Sequence, residues 1–199
     1  LTYDNAVLPH ALFVAASTLG DKKYRKVAEK TCKFLLANTF NGEHFSFIGC
    51  HGWYERGRPR ATFDQQPIEA ASTVLMLRAA YDCTGDDRFL PLQRKAFDWF
   101  LGANDLRIPV YDSSSKGCCD GLTPDGINTN QGAESTLSFL LSLLAIVESQ
   151  AFSGPAARVR ESRGPSNTSG PPNPGRPPRH PPRAAEQCQT KDRHGPSVR

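Results

Sequence analysis

The chain has 199 residues, room for one ordinary domain, and a formal net charge of +4. From Phe152 onward there are nine Lys/Arg against three Asp/Glu, leaving the first 151 residues at 15 against 17. A mildly acidic body gives no electrostatic reason to expect nucleic acid, and no apolar run reaches the length of a membrane span.

Ala6 to Leu19 reads as a helix of Ala, Val, Leu and Phe, capped by Asp4 or Asn5. Gly20-Asp21 turns the chain into an amphipathic helix whose apolar stripe is Tyr24, Val27, Ala28, Thr31, Phe34 and Leu35. His44 to Ile48 reads as a short strand or ribbon. Pro67 suits the first turn of a second inner helix running to about Cys83, and Gly85-Asp86 turns into a second outer helix with Phe89, Leu92, Ala96, Trp99 and Phe100 inward. Asn104 to Gly132 reads as a long polar loop before a third inner helix from Ala133 to about Ser149. The expected architecture is all-α, antiparallel helical hairpins over residues 1–151, with 152–199 a Pro/Arg-rich disordered tail. The start at Leu1 and the half-formed third repeat read as signs of a fragment. The six cysteines form no CxxC pair or zinc-finger spacing, so they read as reduced thiols of a cytoplasmic protein.

A fixed period carries the functional reading. Asp4, Glu69 and Glu134 stand 65 residues apart, and Gly20-Asp21 returns as Gly85-Asp86 at the same offset. Repeats of this kind deliver equivalent residues to equivalent places, here the starts of the inner helices. Around those starts lie Trp53-Tyr54, Asp64-Gln65-Gln66, Asp120 and Asn130-Gln131. Aromatic faces stack on sugar rings, and carboxylates and carboxamides bind vicinal hydroxyls. A carboxylate pair at the right separation also serves as acid and base in glycosidic cleavage. Capping offers a plainer account of Glu69 and Glu134, since a polar residue followed three positions later by Glu is a helix-start pattern. Trp99 reads as core, His10 as a packed histidine, and Arg56, Arg58 and Arg60 as a solvated basic loop. Asp120 and Asp125 do not match a calcium loop, so no metal or cofactor is expected.

Phe63 to Ala70 and Asp120 to Ser135, taken together, resemble the (α/α) toroid family of carbohydrate-active proteins, the six-hairpin glycosidase-like superfamily. More narrowly, they look like a helical domain at the C-terminus of some bacterial glycosyltransferases. The resemblance implies an incomplete (α/α) toroid and a saccharide or glycoconjugate as partner, beside a fused or upstream glycosyltransferase domain. It also implies a sugar cavity at Asp64, Gln65, Gln66, Glu69, Asp120, Asn130, Gln131 and Glu134. With the residues' own chemistry, Glu69, Glu134 and Asp64 are the candidate catalytic acids. Trp53, Tyr54, Gln65, Gln66, Asp120, Asn130 and Gln131 are the candidate substrate-binding residues. No nucleotide-sugar-binding Rossmann half is present, so this segment alone is expected to be inactive in transfer. A fragment of a stand-alone glycoside hydrolase or sugar epimerase, and a non-catalytic helical-repeat module, are the competing readings.

Overall fold

Two Gly-Asp words set the helical frame. The computed structural model describes residues 1–152. Helix α1 (Val7–Leu19) stops at Gly20, whose φ of 66° lies in the left-handed region glycine enters without penalty. Asp21 then accepts from the Lys23 N–H at 2.7 Å and caps α2 (Lys22–Thr39). The same event recurs where α3 (Pro67–Thr84) stops at Gly85, with φ 68°. There Asp86 accepts from the Arg88 N–H at 3.0 Å ahead of α4 (Phe89–Asp98). A 3-10 turn, Trp99–Leu101, extends α4, and α5 spans Ala133–Phe152.

Helix α3 packs against α1 on one flank and α5 on the other, while α2 covers α1 and α4 covers α3. That position explains the composition of α3: Ala70, Ala71, Val74, Met76, Leu77 and Ala80 are all buried. Helices α1 and α5 are less fully covered than α3. Leu8 of α1 is 71% exposed, and Leu137, Leu140, Leu141, Leu144 and Val147 of α5 are exposed while Phe139 is buried. Each has an inner-helix neighbour on one flank only, so its apolar surface is half covered. The core is aromatic. Trp99 is fully buried and meets Phe47 and Phe100 edge-on at 5.7 and 5.5 Å, and Phe139 stacks on Tyr111 at 4.1 Å.

The all-α, incomplete-toroid expectation is corrected by the segment between α4 and α5. Strands β1 (Gly121–Thr123) and β2 (Gly126–Asn128) pair antiparallel, Leu122 opposite Ile127. Thr123 and Ile127 suit extended backbone, and Gly126 takes the φ of 141° that closes the turn after Pro124-Asp125. Leu122 also bridges to Gln65 through reciprocal backbone hydrogen bonds of 2.9 and 3.0 Å, which ties the ribbon to the start of α3. The body is therefore helical with a β-ribbon at one end. The expected strand at His44–Ile48 is a buried extended segment joined to its surroundings by one bridge, Phe40 to Phe45. The tail assignment, Phe152 apart, lies outside the described residues. Among the described residues, no helix is long and apolar enough to cross a membrane.

Candidate functional site

The starts of α3 and α5 border a cleft of about 430 Å³, lined by Asp64, Gln66, Thr123, Asp120, Asn128 and Glu134 among others. The ribbon forms one wall because β1 docks on Gln65. Gly121 is required at that contact: its φ is 140°, and a Cβ there would lie 2.0 Å from the Gln65 carbonyl oxygen. Gln66 precedes Pro67 at the head of α3 and makes no side-chain cap bond. Among the described residues, neither the Gln66 carboxamide nor the Asp64 carboxylate has a hydrogen-bond partner. Unspent polar groups on a concave wall are available to a ligand.

Asp120 is differently placed. It accepts from the Asn130 side chain, from the Gly132 N–H at 2.9 Å and from the Ser135 hydroxyl at 2.6 Å. Burial pulls its pKa upward, but these hydrogen bonds outweigh that and hold it below the ordinary Asp value. Asp120 thus fastens the loop to the first turn of α5 and keeps its charge beside the cleft. Asn130 is engaged with Asp120. Gln131 faces the neighbouring loop, donating to Asp112 at 3.2 Å and accepting from Ser115 at 2.8 Å.

The three acids of the 65-residue series gather around Tyr3. Its hydroxyl donates to Glu134 at 2.8 Å, and its pKa is pushed up to about 12, by partial burial first, then by that bond and the charges of Glu134, Asp4 and Glu69. Trp53 lies edge-on to Tyr3, ring centres 6.4 Å apart, and holds a φ of 58° that non-glycine residues rarely adopt. Tyr54 exchanges backbone hydrogen bonds with Leu1, which lays the 49–61 loop across the start of the chain. Glu69 does not line the cleft. It is 5% exposed and accepts from the Asn5 side chain at 3.3 and 3.4 Å and from the Asn5 N–H at 3.4 Å. Burial raises its pKa, opposed by the bonds from Asn5.

Gln65, a candidate substrate-binding residue, borders the cleft, but its side chain is fully buried and its polar atoms are spent inside the protein. Its Oε1 accepts from the Phe47 N–H at 3.2 Å and the Trp99 Nε1–H at 3.1 Å, while Nε2 donates to the Thr62 carbonyl at 2.9 Å and to Asp105 at 2.5 Å. Asp105 also receives Ser46 at 2.5 Å and pairs with His44 at 2.7 Å. Burial works against its charge, yet these partners hold its pKa below the usual Asp value. Arg60 completes the brace by donating to the carbonyls of Asn38 and Ser46 at 2.7 and 2.6 Å. Sequence reasoning passed over Asp105 and His44 and left Arg60 in a solvated loop. Their roles rest on contacts 40 to 61 residues apart for Asp105 and 14 to 22 for Arg60.

A larger groove of about 750 Å³ runs between α2 and the α3–α4 turn. Four of its charges pair with one another, Arg25 with Glu29 at 2.8 Å and Arg88 with Asp86 at 2.6 Å, while Lys33 on the same lining makes no ion pair among the described residues. No family model matches the chain, and no curated protein matches it.

Proposed function

We propose that this chain is a carbohydrate-active helical domain, an accessory part of a bacterial glycosyltransferase, and that it binds a saccharide in the cleft at the starts of α3 and α5. The observation that carries the reading is the pairing of unspent groups, Asp64 and Gln66, with Glu134 and Asp120 around one cleft. Carboxylates and carboxamides spread over a concave wall match the alternating donors and acceptors of a sugar's hydroxyls. Asp64 and Glu134 are the acids in contact with ligand. Glu69 acts behind them by holding the start of α1 through Asn5.

The test is calorimetric titration of the intact protein with monosaccharides and short oligosaccharides, alongside Asp64→Asn and Glu134→Gln. Each variant keeps shape and removes one charge, and Gln at 134 still accepts the Tyr3 hydroxyl. Loss of one charge-assisted bond corresponds to about a tenfold weaker Kd, with a melting temperature within about 2 °C of wild type. Variants that bind as wild type does, or a wild type that binds no saccharide, refute the proposal. The competing helical interaction module draws support from the exposed leucines of α5. It predicts indifference to sugars and to both substitutions.

A further inference from the structure

The cleft carries a charge that narrows its ligand. Asp64, Asp120 and Glu134 line it, and no Lys, Arg or His is among the lining residues. The N-termini of α3 and α5 also face it, each contributing the equivalent of about +0.5 charge. Three carboxylates against two half-charges leave the cleft negative, so anionic sugars are repelled and a cation is attracted. The acids do not converge as metal ligands do: among the described residues no three His, Cys, Asp or Glu side chains are grouped to hold a metal ion. Spread around the cavity, with Gln66, Thr123 and Asn128 between them, they suit a cation that also presents hydroxyls. Asp64 and Gln66, neither of which has a side-chain hydrogen-bond partner among the described residues, leave a carboxylate and a carboxamide open on the same wall.

We infer that the cleft binds a cationic amino sugar, its ammonium drawn to Asp64 and Glu134 and its hydroxyls to Gln66, Thr123 and Asn128. Asp120, already engaged with Asn130, Gly132 and Ser135, contributes field rather than a direct bond. The inference rests on the saccharide reading of the cleft and adds the ligand's charge to it.

Matched series separate the two claims. The intact protein is titrated at low salt and near-neutral pH with glucosamine, glucose and glucuronate, and with the corresponding galacto and manno trios. Ethanolamine serves as an amine without a ring. In a series that binds, the amino sugar is expected to bind about tenfold tighter than the neutral sugar, the difference between a charged and a neutral hydrogen bond. The uronate should bind weakest. Asp64→Asn should reduce the amino-to-neutral ratio several-fold, and added salt should reduce it as well. A neutral sugar that binds as tightly as its amine overturns the inference and leaves the saccharide reading standing. Binding of no sugar overturns both. Ethanolamine matching the amino sugars, or a ratio unmoved by both Asp64→Asn and Glu134→Gln, also overturns it.

Discussion

Gln65 offers the sharpest test of how the cleft wall is held, because its whole polar inventory is spent inside the protein. Replacing it by Leu strands the Phe47 N–H and the Trp99 Nε1–H in a region where both residues are 0 to 1% exposed. Each unsatisfied buried donor costs about 1–3 kcal/mol, and loss of the bond to the Asp105 carboxylate costs about 1.5–3 kcal/mol more. Leucine's added apolar burial offsets part of this, leaving a net loss of about 3–6 kcal/mol against a typical domain stability of about 5–15 kcal/mol. Urea unfolding followed by tryptophan fluorescence measures it, since Trp99 is the buried reporter beside the mutation. Gln65→Glu supplies the control. It preserves volume and the acceptor for Phe47 and Trp99, but sets an oxygen against Asp105 where an NH2 now donates at 2.5 Å. Its deficit should be large at neutral pH and shrink in acid as the new carboxyl takes a proton and donates again. A Gln65→Leu variant within 1 kcal/mol of wild type, or a Gln65→Glu deficit independent of pH, refutes the brace.

Glu69→Gln tests the buried acid: its raised folded pKa makes native stability greatest below the ordinary Glu value of 4.5 and erodes it as pH rises through the folded value. Melting temperature should therefore favour the Gln variant at neutral pH, with the difference closing below about pH 4.5; a variant that melts lower at neutral pH shows that the carboxylate's bonds from Asn5 matter more than its burial. On α5, Leu141→Lys with Leu144→Lys should change stability by no more than about 0.5 kcal/mol each, because both side chains are already half or more exposed, while reducing self-association in light scattering. A large loss of stability would place those leucines in a core that the structure does not show.

What could be read from sequence was local. Gly20-Asp21 and Gly85-Asp86 announce a left-handed stop and a turn into the next helix, with Asp21 capping α2 while α4 starts without a side-chain cap. Pro67 and Ala133 likewise open α3 and α5 where their own chemistry says. The ribbon was legible in principle: Pro124-Asp125-Gly126 between Leu122 and Ile127 is a turn between two extended apolar residues. It was absorbed into a long loop because each strand is three residues long. Gln65 was not legible. It sits in a run of polar residues beside Asp64 and Gln66, and only its meeting with Leu122 and Trp99, 57 and 34 residues later, decides that it points inward. The neighbours on either side then face the cleft because an extended segment alternates its side chains.

The same logic explains why a regular period ends in unequal roles. Glu69 and Glu134 occupy the same turn of equivalent helices, and a repeat argument alone assigns them one job. Their surroundings differ because α3 is flanked by both α1 and α5, whereas α5 has an inner-helix neighbour on one side. At the head of α3 the start of α1 closes over Glu69, Asn5 takes up its oxygens, and burial raises its pKa. At the head of α5 nothing closes over Glu134, which stays exposed, gives one oxygen to Tyr3 and keeps the other free toward the cleft. Asp4 shows a third outcome: its Oδ1 is buried with no hydrogen-bond partner among the described residues, and it adds negative charge behind Glu69. Periodicity brings the three acids to one end of the helices, and the number of flanking helices decides which of them meets solvent. The acid at the open flank is therefore the one whose charge a ligand can use.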